Sequence, residues 1–263
     1  DSVASRGLGD VYKRQEVEWN VSKDGYLKPT VHFNPVHIGG VKIQKATGFN
    51  GAFIQTHKIG PGSKIIIIRS GDVIPHIVQV VTPSATGEPS FPKGDYQWNE
   101  SGVEIQLPRG ASNDQQRLKQ LEHCVKTLDI PFMGPGTLKK LIEAGIRTIP
   151  QWVRLTKADL LKLEGVQEKG AEKMMEAMKT RLETVTCEEW MVASNLWGRG
   201  FGLKKIQTIL NAYPEIVQEK KIDTIKTIPG IGKATLEQFL EVLPQFYEWM
   251  KEIGRSCAPP KKG

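Results

Sequence analysis

The chain contains little cysteine and no long apolar run. Its 263 residues include three cysteines, Cys124, Cys187 and Cys257, which lie 63 and 70 residues apart. This spacing contains no Cys-x-x-Cys pair and predicts neither a zinc knuckle nor a disulfide framework, which favours a reducing compartment. The longest apolar run, Ile65–Ile68, is far too short to cross a membrane. We therefore expect a cytoplasmic protein with no membrane partner.

Aromatic residues are few (7%), and acidic residues are outnumbered by basic ones. The chain carries 36 Lys and Arg against 29 Asp and Glu, which gives a formal charge of +7 and a pI of about 9.2. Residues 111–263 hold 24 of the cations and 19 of the anions, so most of the excess lies in the C-terminal half. A modest basic excess fits a polyanionic partner, although many basic proteins bind none.

No cluster of side chains predicts a catalytic or metal site. The five histidines have no carboxylate or cysteine at ligand spacing, which argues against zinc. Ser63, Ser70 and Ser90 lack the glycine context of a nucleophile elbow. Asp72, in "RSGDVIP", could suggest a metal ligand or a general base, but a polar turn residue explains it, and Arg69 is the better nucleic-acid contact. We predict no catalytic residue and no metal ligand in this chain.

Residues 16–82 have the pattern of a small β domain. "VEWNVS" alternates apolar and polar positions, a turn follows at Lys23-Asp24-Gly25, and β-branched runs such as "SKIIIIRSG" continue to residue 82. Five short strands with one helix near residues 51–57 are typical of an OB-fold β-barrel. A β-barrel core alone would explain most of these residues.

After residue 82 the composition and the apolar pattern of the chain change. Residues 83–112 are rich in Pro, Gly and Ser and predict a linker with one small hairpin in "YQWNESGVEIQL". In residues 113–254, apolar positions recur every three to four residues, which predicts an all-α domain. Residues 255–263, with "APPKKG", indicate a disordered tail. The predicted fold class is multidomain β + α, an OB-fold β-barrel followed by an all-α domain.

Four related turns recur in the helical half. They lie in "IPFMGPGTLKKL", "LEGVQEKGAEKM", "WGRGFGLKKIQTI" and "IPGIGKATLEQF", at intervals of 33, 35 and 30 residues. Each places a hydrophobic residue between two positions that are usually glycine. These central residues are Met133, Val166, Phe201 and Ile231.

Each of the four units resembles the helix-hairpin-helix motif, a sequence-independent binder of nucleic-acid backbone. In such a hairpin the hydrophobic residue fills the core, and the glycines leave helix-start N–H groups open to a phosphate. A plain helical-bundle turn is the alternative for any single hairpin. Phe132 and Gln167 replace glycines, so the first two hairpins are the most open to a purely structural role. The predicted DNA-binding residues are Arg69, Gly134, Lys139, Gly165, Lys169, Gly200, Gly202, Lys204, Gly230, Gly232 and Lys233.

The β half resembles the OB domain of NAD-dependent DNA ligases. That family carries a Gly-Val, Ala-Thr-x-x-Asn segment and an Arg-x-Gly-Asp-Val-Ile-Pro segment, which "GGVKIQKATGFN" and "RSGDVIP" match here. A four-fold helix-hairpin-helix domain (residues 113–254 here) follows the OB domain in that family. The resemblance implies a protein that seals nicks in double-stranded DNA during replication and repair through lysine–AMP and DNA–adenylate intermediates. It also implies NAD and Mg²⁺ as cofactors of the complete enzyme, in a bacterial or virus-infected host cell.

The chain departs from the family pattern in three respects. No adenylated lysine or NAD pocket is recognisable, so we expect the adenylation domain to be missing from the sequence or to be a separate chain, with this chain inactive alone. The zinc finger of cellular members is replaced by a cysteine-free stretch, so no zinc is expected and the form resembles viral or phage members. The family's basic residue ahead of its Glu-Pro-Val segment is His32 here, which weakens one expected DNA contact.

Residues 1–15 match nothing in the family, and we interpret them as translated junction or adaptor sequence. Two other functions remain open for the whole chain. One is a non-enzymatic DNA-binding accessory module. The other is a repair or nuclease subunit that shares only the hairpins, which the OB resemblance disfavours.

Overall fold

The computed structural model describes residues 5–10, 17–69, 74–111 and 113–257. The predicted turn residue Asp72 and the end of the tail lie outside the described residues. The chain divides into two compact units, residues 1–115 and 116–263. Within the described ranges, no helix is both long enough and apolar enough to cross a membrane.

The first unit is built on one mixed sheet of eight strands. Among its described residues the elements are β1 (Ser5–Asp10), β2 (Glu18–Val21), β3 (Tyr26–Ile38), β4 (Val41–Thr47), α1 (Gly51–His57), β5 (Lys64–Arg69), β6 (His76–Thr82), β7 (Gln97–Trp98) and β8 (Ile105–Gln106). The strand order is β1-β5-β6-β4-β3-β8-β7, with β2 also paired to β3. Strand and helix positions between residues 18 and 82 follow the predicted OB pattern, with α1 at residues 51–57.

The long strand β3 organises this sheet. Its side chains alternate between buried and partly exposed as far as Phe33, because successive residues of a strand point to opposite faces. The buried set joins inward residues of β4, β5 and α1 in one apolar core that includes Val31, Phe33, Ile65 and Ile67. The helix α1 is capped by Asn50, whose side-chain oxygen accepts from the Phe53 N–H at 2.9 Å.

Two segments outside the predicted OB domain, within residues 1–15 and 83–112, contribute strands to the sheet of the first unit. The predicted non-family segment 1–15 contains β1, which pairs with β5 along its whole length, from Ser5 opposite Arg69 to Asp10 opposite Lys64. A side chain at Gly9 would crowd the Phe33 ring, because an added Cβ would lie 3.1 Å from it, so glycine allows this strand to pack closely.

The predicted linker 83–112 is also part of the first unit. Its hairpin of β7 and β8 is joined to β3 through β8, and Ile105 lies fully buried against Val21 and Leu27. The apolar side chains of this segment therefore pack in a small core, whereas a free linker would leave them exposed.

The second unit is entirely helical. Its elements are α2 (Asp114–Thr127), α3 (Pro135–Glu143), α4 (Ile149–Val153), α5 (Lys157–Leu161), α6 (Glu168–Leu182), α7 (Cys187–Ser194), α8 (Leu203–Ala212), a 3₁₀ helix (Pro214–Gln218) and α9 (Lys233–Ile253). One continuous apolar core joins all of these elements. At its centre the Trp197 ring stacks on Phe239 with centroids 4.9 Å apart, and the Trp197 Nε1–H donates to the Phe239 carbonyl at 3.0 Å.

The segment that follows α9 is ordered as far as Cys257, so the predicted disordered tail is wrong for residues 255–257. The Arg255 guanidinium donates to the Leu182 carbonyl at 3.2 Å. Cys257 is buried and forms a disulfide with Cys187, with the two Cα atoms 4.8 Å apart. The expectation of no disulfide is therefore also wrong, because the fold brings together two cysteines that are 70 residues apart in sequence. Cys124 is buried and free.

Candidate nucleic-acid interface

The four hairpin turns have the same backbone conformation. The residue before each central hydrophobic residue has a positive φ: 66° at Phe132, 80° at Gly165, 90° at Gly200 and 80° at Gly230. The residue after it is the N-cap of the next helix in an extended conformation, namely Gly134, Gln167, Gly202 and Gly232. Phe132 and Gln167, which replace glycines in sequence, therefore keep the hairpin geometry.

The central hydrophobic residues face the core of the second unit. Met133 is 4% exposed and Phe201 is 7% exposed, while Val166 and Ile231 are partly buried and pack against the same core. The Phe201 ring lies 6.1 Å from the Phe239 ring on α9, which anchors the third hairpin to the helix of the fourth. These contacts hold each turn so that the start of its second helix faces outward.

The second helix of each hairpin begins without a side-chain cap. At none of the four N-cap residues does a side-chain oxygen accept a hydrogen bond from a helix-start N–H. The first helical hydrogen bond runs from the fourth amide to the N-cap carbonyl in all four, at 2.9–3.1 Å. By contrast, the N-caps of α4, α5 and α7 are Thr148, Thr156 and Thr186, and each threonine caps its helix in a full capping box. The hairpin helices thus leave their first-turn amides available.

The fold does not require glycine at three of these N-caps. Gly134, Gly202 and Gly232 have φ values of −76°, −87° and −66°, which any residue adopts. An added Cβ would meet no atom closer than 4.0 Å at any of them. Ser, Asp or Asn would cap these helices at least as well, so neither helix capping nor packing accounts for glycine at the three positions.

The predicted lysines occupy different positions along these helices. Lys233 is the first residue of α9, and Lys169 and Lys204 are the second residues of α6 and α8, so all three lie in a first turn. Lys139 lies one turn further along α3. All four are exposed. Lys140, by contrast, donates to the Glu164 carbonyl at 2.7 Å and thereby links the first hairpin to the turn of the second.

Comparison with known proteins agrees with both halves of the structure. Residues 13–89 match the NAD-dependent DNA ligase OB-fold domain, and residues 126–180 match the SAM-like helix-hairpin-helix tandem. Residues 13–89 are thus an OB-fold domain of the kind found in NAD-dependent DNA ligases. The helix-hairpin-helix match covers the turns of the first and second hairpins, including Phe132 and Gln167.

Similar proteins named DNA ligase occur in a virus and in bacteria. The ligase of Acanthamoeba polyphaga mimivirus is 36% identical over 256 residues, which is 95% of this chain and 40% of that protein. The ligase of Desulfatibacillum aliphaticivorans is 24% identical over 98% of this chain and 42% of that protein, and that of Finegoldia magna is 29% identical over 86% and 36%. The chain therefore spans about two fifths of the length of these relatives.

In the ligase OB domain, Arg69 is the last residue of β5 and is partly buried. His32, which stands at the family's basic position, has its Nε2 atom 2.5 Å from a carboxylate oxygen of Glu18. This hydrogen bond holds the pKa of Glu18 below its usual value. The His32 imidazole is thus hydrogen-bonded to an acidic neighbour.

Proposed function

We propose that these 263 residues are the DNA-clamping part of an NAD-dependent DNA ligase that seals nicks in double-stranded DNA. The OB domain and the hairpins bind the sugar–phosphate backbone without reading base sequence. The observation that carries the proposal is the set of three glycine N-caps, Gly134, Gly202 and Gly232, at which neither backbone conformation nor packing requires glycine.

The chemistry of an uncapped helix start suits a phosphate oxygen. The first-turn amides converge at the N-terminal end of the helix dipole, where an anion is favoured. Lys204 and Lys233 add a full positive charge within the same turn of α8 and α9. Backbone amides and lysines recognise every nucleotide alike, so binding of this kind is independent of sequence.

We assign the adenylation chemistry to residues outside this chain, either in the same polypeptide or on a separate chain. Among the described residues, no three His, Cys, Asp or Glu side chains are grouped to hold a metal ion. The described residues therefore offer no obvious set of ligands for Mg²⁺. NAD and Mg²⁺ would be cofactors of the complete enzyme, and the present residues would position the nick.

Binding to duplex DNA should weaken steeply with salt, and a lysine variant should change that dependence. Each phosphate neutralised by a cation contributes about −0.9 to the slope of log K against log salt concentration. We expect Lys204→Gln to make the slope shallower by about 1, for duplexes of unrelated sequence alike. Fluorescence anisotropy with labelled nicked and intact duplexes at several salt concentrations measures both quantities.

Lys251→Gln is the matched control, because it removes the same charge from the last turn of α9, away from the hairpin turns. Lys251 is 3.0 Å from Glu248 and lies in no hairpin turn. An equal change of slope in both variants would mean that the effect is one of net charge. Strong preference for one sequence, or binding insensitive to salt, would contradict backbone recognition.

The chain alone should not accept AMP from NAD. Incubation with NAD labelled in the adenylate group, followed by denaturing electrophoresis, should leave the protein unlabelled, while a complete ligase in the same assay becomes labelled. A stable lysine–AMP adduct on this chain would contradict the assignment of adenylation to other residues, but it would leave the proposed DNA binding intact.

A further inference from the structure

Phe132 occupies the one left-handed position of the four hairpin turns that is not glycine. Its φ of 66° matches those of Gly165, Gly200 and Gly230 in the other three turns. This conformation is unfavourable for a residue with a side chain, and most of all for a bulky one. Glycine would therefore be the more stable choice at residue 132.

Packing in the core does not explain why residue 132 is phenylalanine. The side chain of Phe132 is 53% exposed, and the adjacent Met133 is the residue that fills the core. The recorded partner of the ring is the Lys173 ammonium on α6, which lies 5.6 Å from the ring centroid and is itself exposed. Phe132 thus presents an apolar face beside a cation at the tip of the first hairpin.

The other non-glycine residues with positive φ in the described part of the chain lie at helix ends or pack against a neighbour. Asp129 lies two residues after α2, and its N–H donates to the Lys126 carbonyl at 3.2 Å. Lys58, Asn195 and Glu219 are helix C-caps, where a left-handed residue ends a helix. Phe49 has a φ of 65°, but its ring packs edge-on against Phe53 with centroids 4.7 Å apart. Phe132 has no such aromatic neighbour among the described residues.

Of the four hairpins, the first also offers the poorest set of N–H groups and lysines for binding a phosphate. Pro135 at the first position of α3 has no N–H to donate, and Lys139 lies beyond the first turn. An apolar contact would compensate for this. The surface of DNA next to a phosphate is the deoxyribose and the edge of the minor groove, where apolar side chains of DNA-binding proteins pack or insert.

We propose that Phe132 is an apolar contact to duplex DNA, packing on the sugar at the minor-groove edge while Lys173 neutralises the neighbouring phosphate. This inference rests on the proposed function, because it assumes that the hairpins bind duplex DNA. It assigns a role in DNA binding to the first hairpin. From the sequence alone, this hairpin could have a purely structural role.

The test is the variant Phe132→Gly, which removes the ring and restores the residue found in the other turns. We expect the melting temperature to rise by about 2–4 °C and the affinity for duplex DNA to fall by about tenfold. The slope of log K against log salt should stay unchanged, because an apolar contact releases no counterions. Phe132→Leu should retain most of the affinity.

Ile225→Gly is the matched control, because Ile225 is another apolar residue of the second unit, 52% exposed and outside helices and hairpin turns. It should leave the affinity unchanged. A lower melting temperature for Phe132→Gly would show that the ring stabilises the fold through its contact with Lys173 on α6. An unchanged affinity for duplex DNA would show that the ring does not contact DNA. Either result overturns the inference. Failure of the unaltered chain to bind duplex DNA would instead overturn the proposed function.

Discussion

Replacing Gly202 and Gly232 by aspartate should abolish most of the DNA affinity while leaving the fold intact. Both residues have ordinary φ values, and an added Cβ meets no atom closer than 4.0 Å at either one. The aspartate carboxylate would accept from the first-turn amides, as an N-cap normally does, and stability should rise by a few tenths of a kcal/mol for each change.

The same carboxylate would take the place of the phosphate and repel it. Hydrogen bonds to a charged group contribute about 1.5–3 kcal/mol, so each substitution should weaken binding by about 10- to 100-fold. Titration of a labelled duplex by fluorescence anisotropy measures the affinity, and thermal unfolding measures the stability. Lys233→Gln should cost less than Gly232→Asp, because it removes a charge and leaves the amides free.

The matched control is Gln245→Glu, which adds the same charge on the surface of α9. Gln245 lies 13 residues beyond Gly232 in sequence and is exposed. If this control weakens binding as much as Gly232→Asp, the open helix starts have no special part in DNA binding. If Gly232→Asp unfolds the second unit, the inference that the fold tolerates a side chain at this N-cap is wrong.

Phe239→Ala should cost the second unit about 3–5 kcal/mol of unfolding free energy. Phe239 is fully buried, its ring stacks on Trp197, and it also lies beside Phe201, the central residue of the third hairpin. Truncation leaves a cavity between α9 and the third hairpin, so both hairpins lose their support. Urea denaturation followed by the helical circular dichroism signal measures the loss.

Leu161→Ala provides the comparison for that substitution. Leu161 is 40% exposed, so its truncation should change the unfolding free energy by less than about 1 kcal/mol. A loss of similar size in both variants would mean that the stacked cluster around Phe239 is not the centre of the core. Because the Trp197 indole N–H bonds to the backbone carbonyl of Phe239, that hydrogen bond survives in the variant.

The sequence predicted the order of the two units and the character of each. Period-two alternation identified β2, and the recurrence of a hydrophobic residue between positions that are usually glycine identified the four hairpin turns, because both patterns are local. The OB resemblance predicted the ligase OB-fold domain that residues 13–89 match.

Long-range pairings could not be predicted in the same way. The strand β1 pairs with β5 about sixty residues away, and Cys187 bonds to Cys257 across seventy. Spacing along the chain carries no signal for either contact, because tertiary packing decides which distant segments meet. The exchange of glycine for Phe132 was visible in the sequence, but only the structure shows that the backbone kept its left-handed conformation there.

The hydrogen bond from Lys140 to the Glu164 carbonyl has a consequence for how DNA would be released. It links the helix of the first hairpin to the turn of the second, and both hairpins also pack in the same apolar core. Sites held rigidly together bind with avidity, because engagement of one raises the effective concentration of the next. On this basis, the residence time on DNA should rise more steeply with the number of hairpins bound than it would if each hairpin bound independently.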